Sequence, residues 1–227
     1  MSCDLKPATP GRLFRVGKGP DPWAYPDWSQ AGGDGTFGNR WDDPKSSYRV
    51  LYACSQRLGA LIETLARFRP DPEVVAGLVA IDGEDDEIVL PPGHVPTSWF
   101  TSRVIGEATL SGPFADVTHS RSLAYLRDAL AARVVHYGLD DLDGAAIRFS
   151  APRRFTQEIS RFVYECNDAG EQQFAGIRYA SRLGDELENW AVFEPGRPAG
   201  DQASQIRADD PDVVVAFQRL GLTVANG

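Results

Sequence analysis

Long apolar runs are missing from the 227 residues. None approaches the ~20 residues that a membrane-crossing helix needs, and residues 1–10 contain no apolar core of the kind a secretory signal carries. A basic excess is missing too: 23 Lys and Arg stand against 32 Asp and Glu, a formal net charge of −9. Binding along a phosphate backbone needs a broad basic face, so no direct nucleic-acid partner is expected, although a local group of arginines would still suit a small anionic ligand. Cysteine is scarce. Cys3, Cys54 and Cys166 are odd in number, widely spaced and without a C-x-x-C pair, which predicts free thiols in a reducing cytoplasm. His94, His119 and His136 stand apart without metal-ligand spacing, and no His partner for a Ser-His-Asp hydrolase is evident. There is no Gly-Lys-Ser/Thr phosphate loop, no internal repeat and no low-complexity tail. The run from Gly33 to Gly38 spells G-x-G-x-x-G, but turn-like Trp41-Asp42-Asp43-Pro44 follows it where a dinucleotide-binding fingerprint would open a helix.

The composition, with 42% hydrophobic and 24% charged residues, is that of a globular chain of one-domain size, long enough to bury a core. Apolar, β-capable runs predict strands over 13–16, 50–54, 74–81, 87–90, 176–180 and 190–193. Leu58, Leu61, Ile62, Leu65 and Phe68 recur at helical spacing after Ser55, a candidate N-cap, and Pro70 stops them. Leu123, Leu126, Leu130 and Val134 mark a second helix. Phe155, Ile159, Phe162, Val163 and Cys166 mark a third, opened by Pro152. Asp210-Pro211 opens a last helix that Gly221 ends. Residues 17–38, rich in Gly, Pro, Asp and Trp, read as a long ordered loop, in which Trp23, Tyr25 and Trp28 either pin it to the core, the favoured reading, or expose an apolar surface for a partner. Residues 91–112 read as strands and turns, and 194–208 as a polar loop. Strands and helices mix without a βαβ rhythm, so an α+β fold is expected.

Chemistry-bearing residues gather in the first third. Arg15 lies inside an apolar strand run, where a guanidinium needs an anionic partner, internal or bound. Arg40 sits in a Gly-rich turn beside Trp41, either stacked on that ring at the surface or held rigid to grip a phosphate in a bidentate fork. Tyr52, on the strand feeding the first helix, is either core or a ring to stack on a ligand. Glu63 flanks the apolar face of that helix with Arg67 four residues on, which by itself reads as a surface ion pair.

Together these residues resemble the RES domain family, named for its Arg, Glu and Ser. The resemblance is carried by Arg12-Leu-Phe-Arg-Val16, Asp34-Gly-Thr-Phe-Gly-Asn-Arg-Trp-Asp-Asp-Pro44, Tyr48-Arg-Val-Leu-Tyr52, Ala60-Leu-Ile-Glu-Thr-Leu65 and Gly176-Ile-Arg-Tyr-Ala-Ser181. It is dense over 11–70, has a second anchor at 176–194, and leaves 71–175 without a motif. It implies one RES-type domain over 1–227 with an ADP-ribosyltransferase-like split β-core and helices packed around a cleft that takes NAD. It implies Glu63, Arg40 and Ser181 as catalytic residues, and Arg15, Arg40, Tyr52, Tyr179 and Ser181 as ligands of NAD or phosphate. Within that set Tyr52 would face the nicotinamide, the two arginines the diphosphate or incoming phosphate, and Ser181 the ribose or phosphate. Asn39 stands where many members have Gly.

The implied activity is cleavage of the nicotinamide–ribose bond, with phosphate as the acceptor, by a cytoplasmic toxin whose partner is a separate DNA-binding antitoxin. NAD is then substrate rather than cofactor, and no metal is called for. An ADP-ribosyltransferase acting on a cellular protein and a non-enzymatic nucleotide- or partner-binding module are the alternatives, separated from the first reading by the products formed. The sequence leaves homo-oligomerisation open.

Overall fold

The computed structural model describes residues 2–70, 92–149, 152–194, 196 and 198–225. Its centre is an eight-stranded mixed sheet. Strand β1 is Pro7–Ala8, β2 Arg12–Lys18, β3 Val50–Cys54, β4 His94–Val95, β5 Arg103–Thr109 and β6 Phe114–Asp116. A small hairpin, β7 (Asn167–Asp168) with β8 (Glu171–Gln172), precedes β9 (Gly176–Ala180), β10 (Glu188–Phe193) and β11 (Ala199–Gln205). Thr223–Val224, β12, pairs with β4 apart from the main sheet. The sheet runs β1-β6-β9-β10-β3-β2-β5-β11.

Two well-laddered blocks meet at one weak seam. β2 pairs with β5 over all of Arg12–Lys18, and β3 pairs with β10 over all of Val50–Cys54. Between β2 and β3 the register holds only where Phe14 faces Cys54. The expected α+β class with a split β-core is therefore observed, and the split falls between the strands that carry Arg15 and Tyr52.

Strand periodicity sorts the side chains onto two faces. Leu51, Ala53, Trp190 and Val192 join one apolar cluster with Leu13, Trp23 and Phe114. Val50, Tyr52, Ile177, Tyr179, Ala191 and Phe193 pack on the other face. Helix α1, Arg57–Leu65, follows β3 and buries Leu61, Ile62 and Leu65 in a further cluster with Trp99, Ile105 and Val213. A 3₁₀ turn, Ala66–Phe68, extends it, and Arg69 turns to extended backbone before Pro70, as the pre-proline position requires. The N-cap is Gln56 rather than Ser55. The Ser55 hydroxyl instead donates to Glu188 and accepts from the Trp190 indole.

Several expectations are corrected. The stretch after Pro96 opens with a helix, α2 (Thr97–Ser102), before strand β5 begins; burial of Trp99 and Phe100 overrides their strand preference. The single helix expected around Leu126 is two, α3 (Ser120–Ala129) and α4 (Ala131–His136), divided at Leu130, whose backbone leaves the helical range. Helix α5, Gly144–Phe149, was not anticipated. Residues 199–205 form an edge strand rather than a loop. Helices α6 (Arg153–Glu165) and α7 (Pro211–Leu220) lie where the periodicity placed them, and Gly221 closes α7 at φ 66°. The strands expected over 74–81 and 87–90 lie outside the described residues.

The cysteine reading is also corrected. Cys3 and Cys166 form a disulfide with Cα atoms 5.7 Å apart, and Cys54 is the free thiol. Their separation of 163 residues hid the pairing. The chain end runs back past β6 to the end of α6, a closure that spacing along the sequence does not encode. With that pair formed, the thiol argument for a reducing compartment no longer holds. Among the described residues no helix is long and apolar enough to cross a membrane.

Candidate active site

A cleft of about 280 Å³ opens at the β2–β3 seam. Phe14, Arg15 and Val16 of β2 line one side, Tyr52 and Cys54 of β3 the floor, and Glu63 and Thr64 of α1 the wall above. Asn39 and Arg40 from the long loop, Arg153 at the start of α6, and Tyr179, Arg182 and Asn189 complete it.

The sheet register explains the floor. Asn189 is the direct partner of Cys54 on one side and of Tyr179 on the other. Directly opposed residues share a face, so Cys54, Asn189 and Tyr179 form a row across three strands. Tyr52 lies two residues from Cys54 and so projects from the same face.

Glu63 projects from α1 over this row. Its Oε1 accepts from the Ser181 hydroxyl at 2.6 Å and from the Asn189 amide at 2.7 Å. No protein donor among the described residues reaches Oε2. The surface pairing with Arg67 is not formed, and the Arg67 guanidinium lies over the Phe68 ring at 4.7 Å. Ser181, 1% exposed, accepts from the Leu183 amide while donating to Glu63. It therefore sits behind the carboxylate and does not line the cleft.

The arginines are held by neutral partners. Arg15 donates from Nε to the Pro22 carbonyl at 2.7 Å and from Nη1 to the Tyr52 carbonyl at 2.8 Å, spanning the seam. Burial lowers its pKa to about 10, so the group is still a cation at neutral pH. Arg40 donates to the Ile147 carbonyl at the end of α5 and lies 5.0 Å from the ring centres of both Trp41 and Tyr179. Its Nε is buried without a partner among the described residues, and burial again lowers its pKa. Neither arginine forms an ion pair among the described residues, and neither do Arg153 and Arg182. Among the described residues, four cations thus face a cleft whose one acidic wall residue is Glu63, in a chain of net charge −9. Arg153 and Arg182 are exposed, but Arg15 and Arg40 are desolvated, and desolvated cations without carboxylate partners are costly and suit an anion.

The loop that presents Arg40 is fixed from three sides. Gly38 takes φ 76°, a conformation open to glycine, and turns the chain. Asn39 donates its backbone amide to Asp42 Oδ2 at 2.6 Å and its carbonyl accepts from Gln157 of α6 at 3.0 Å. Trp41, fully buried, accepts at its carbonyl from the Ser160 hydroxyl of α6. Tyr52 donates its hydroxyl to Asp42 at 2.7 Å and accepts from the Trp41 amide at 3.0 Å. The Tyr52 hydroxyl therefore anchors the loop, and its ring is what the cleft meets. Burial raises the Asp42 pKa against these donors.

All five residues singled out as substrate ligands gather here: Arg15, Arg40, Tyr52 and Tyr179 in the wall, Ser181 one layer behind. Asn189, Arg153 and Arg182 were missed. A polar Asn within the apolar strand Glu-Asn-Trp-Ala-Val-Phe was the available signal for the first, and adjacency to Ser181 for the last. The aromatic loop residues behave as expected in part. Trp23 is buried and the Tyr25 hydroxyl donates to the Phe193 and Gly196 carbonyls, whereas Trp28 is 39% exposed and packs on Phe37.

The class defined by this arrangement is an α+β protein with an anion-receptive cleft around one fixed carboxylate. The resemblance drawn from the motifs is borne out over its first and denser part: the family profile described as the RES domain matches residues 12–103, a stretch that holds Arg15, Arg40, Tyr52 and Glu63 but not Tyr179 or Ser181. Among solved structures, the chain is similar to one titled as the crystal structure of the M. tuberculosis MbcT-MbcA toxin-antitoxin complex, at 13% identity and TM-score 0.41, over 95% of this chain and 90% of that one. No curated protein matches the chain.

Proposed function

We propose that this chain, as one RES-type domain, is an NAD-degrading enzyme that cleaves the nicotinamide–ribose bond with phosphate as acceptor, and that it acts in the cytoplasm as the toxin of a toxin–antitoxin pair. The observation that carries the reading is one carboxylate, Glu63, with an oxygen that no donor among the described residues reaches, in a cleft ringed by cations that lack carboxylate partners among those residues. The RES domain match supports the toxin assignment and a separate antitoxin partner.

The chemistry follows from the residues. NAD carries a dianionic diphosphate and a positively charged nicotinamide. Breaking its glycosidic bond builds oxocarbenium character at the anomeric carbon, which a nearby carboxylate oxygen stabilises. Nicotinamide departs neutral with the bonding pair, so no strong general acid is required. An oxygen of inorganic phosphate forms the new bond to that carbon, giving nicotinamide and a phosphorylated ADP-ribose. Arg15 and Arg40 orient the diphosphate or the acceptor phosphate, converting a diffusive encounter into a positioned one. Tyr52 offers a ring face to the planar nicotinamide, while the Tyr179 ring backs Arg40.

The test is NAD consumption by the purified chain with and without inorganic phosphate, with products resolved by chromatography. Phosphate-dependent release of nicotinamide and phosphorylated ADP-ribose is expected. Glu63→Gln keeps the shape and removes the charge, and turnover should fall by at least about 10²-fold with the fold retained. Full turnover by that variant would falsify the mechanism. Labelling of a protein instead of a small-molecule product would point to ADP-ribosyl transfer.

A further inference from the structure

Glu63 has two oxygens and the protein treats them differently. Oε1 takes two hydrogen bonds, from Ser181 at 2.6 Å and Asn189 at 2.7 Å, while Oε2 takes none from the described residues. Asn189 is 2% exposed and sits at the middle of the three-strand row. The side-chain amide can face Glu63 in one sense only. A carboxylate accepts and cannot donate, so Nδ2 points to Glu63 and Oδ1 points away. Oδ1 then meets Cys54 Sγ at 2.9 Å. Burial raises the Cys54 pKa well above its ordinary value, so this position holds a thiol, a donor, facing an acceptor. The polarity is consistent along the whole chain of contacts: Cys54 S–H to Asn189 Oδ1, Asn189 N–H to Glu63 Oε1.

We infer that Asn189 is a positioning residue for the proposed reaction: with Ser181 it occupies Oε1, fixes the rotation of the Glu63 carboxyl, and makes Oε2 the oxygen presented to the anomeric carbon, while Cys54 sets which way the Asn189 amide faces. The inference rests on Glu63 being the acting carboxylate. Ser181 and Asn189 approach Oε1 from separate elements, Ser181 from just beyond β9 and Asn189 from β10. The carboxyl plane is thus fixed by two donors, which a single donor would leave free to swing.

The experiment compares kcat and KM for NAD in the wild-type chain, Glu63→Gln, Asn189→Ala, Asn189→Asp, Cys54→Ala and Cys54→Ser, each checked for native circular dichroism. Asn189→Ala is expected to lower kcat by about 10–10²-fold while changing KM less than about 3-fold, because an interaction acting on the reacting carbon is lost and the arginine contacts are untouched. Asn189→Asp replaces the donor with a second carboxylate facing Oε1 and should lower kcat further. Cys54→Ala should lower kcat by a smaller factor, and Cys54→Ser, which restores an O–H donor to Oδ1, should recover it. A purely structural role would not give rescue by serine with KM unchanged.

If wild type turns over NAD and Glu63→Gln does not, yet Asn189→Ala keeps wild-type kcat, the inference is overturned while the reading of the site stands. If Glu63→Gln keeps wild-type turnover, or the wild-type chain consumes no NAD, the reading of the site falls and the inference with it. An Asn189→Ala chain that fails to fold hands the decision to the Cys54 pair: equal kcat in Cys54→Ala and Cys54→Ser rejects the amide-orienting contact.

Discussion

Arg15 shows how one side chain joins a structural tie to a place in the proposed substrate cleft. Its guanidinium ties the Pro22 and Tyr52 carbonyls across the seam where the two sheet blocks have a single register partner, and it still lines the cleft. Arg15→Leu is expected to raise KM for NAD at least about 10-fold and to lower stability by about 1–3 kcal/mol, since two carbonyls lose their donor; steady-state kinetics and urea unfolding separate the two effects. The pH dependence has a definite sign. Burial lowers the Arg15 pKa from its usual value to about 10, so above pH 10 the native state binds fewer protons than the unfolded one. The cost of the buried charge is then relieved as pH rises, while the cation an anionic substrate needs is lost. NAD affinity should therefore fall above about pH 10. At this scale the sequence named Arg15, Arg40, Tyr52, Glu63, Tyr179 and Ser181 correctly as neighbours. Their division of labour was not legible: that Ser181 lies behind Glu63 and that Asn189 joins them depend on contacts between residues more than a hundred positions apart, and that the Tyr52 hydroxyl anchors a loop depends on how the chain folds back onto β3 from Asp42 and Trp41.

Helices whose own sequence supplies an apolar stripe and a stop were legible, and elements made by their neighbours were not. α6 buries Phe155, Ile159 and Val163 at helical spacing, and α7 has Asp210 as its N-cap, Pro at its start and Gly221 at its end. By contrast β11, Ala-Gly-Asp-Gln-Ala-Ser-Gln, is exposed at every position and has no alternation to read; it is a strand because β5 offers it an edge. α5 does carry a local signal, since Asp143 accepts from the Ala146 amide in the manner of an N-cap. The α1–α7 junction makes a testable pair of charges. Arg57 bridges Asp210 and Asp212 at the start of α7, and its hydrogen bonds hold the Asp210 pKa below the usual carboxylate range. Because these groups are partly exposed, Arg57→Ala should cost only about 1 kcal/mol, a drop of roughly 2–4 °C in melting temperature. The Asp210 contribution is present at neutral pH and fades as pH falls through its lowered pKa, so the difference between wild type and Arg57→Ala should shrink in acid.

Across the molecule, the Cys3–Cys166 bond ties the first residues of the chain to the end of α6. Reduction, or Cys3→Ser, should lower stability by about 2–5 kcal/mol, read as a fall in melting temperature on adding a thiol reductant, with no change for the Cys3→Ser chain on the same addition. Buried phenols give a second global observable. Burial raises the pKa of Tyr48, Tyr52 and Tyr179 above the ordinary phenol value. The unfolded chain therefore loses these protons first, and stability declines as pH rises past about 10. Absorbance of phenolate should show these three rings ionising together with the loss of circular dichroism, after the exposed tyrosines have titrated.

The sequence by itself determined what local chemistry controls: the apolar periods of α1, α6 and α7, the strands that carry Arg15 and Tyr52, the turn that presents Arg40, and the ordered set of motifs behind the RES resemblance. Each element, and each motif taken singly, is set by residues within a turn or two of one another, where spacing and side-chain type suffice. Only the tertiary structure decided the seam between β2 and β3, the disulfide, and the row of Cys54, Asn189 and Tyr179 beneath Glu63. Those depend on which strands lie side by side and in what register, a choice made by burying both faces of the sheet at once, and no single stretch of chain holds that information.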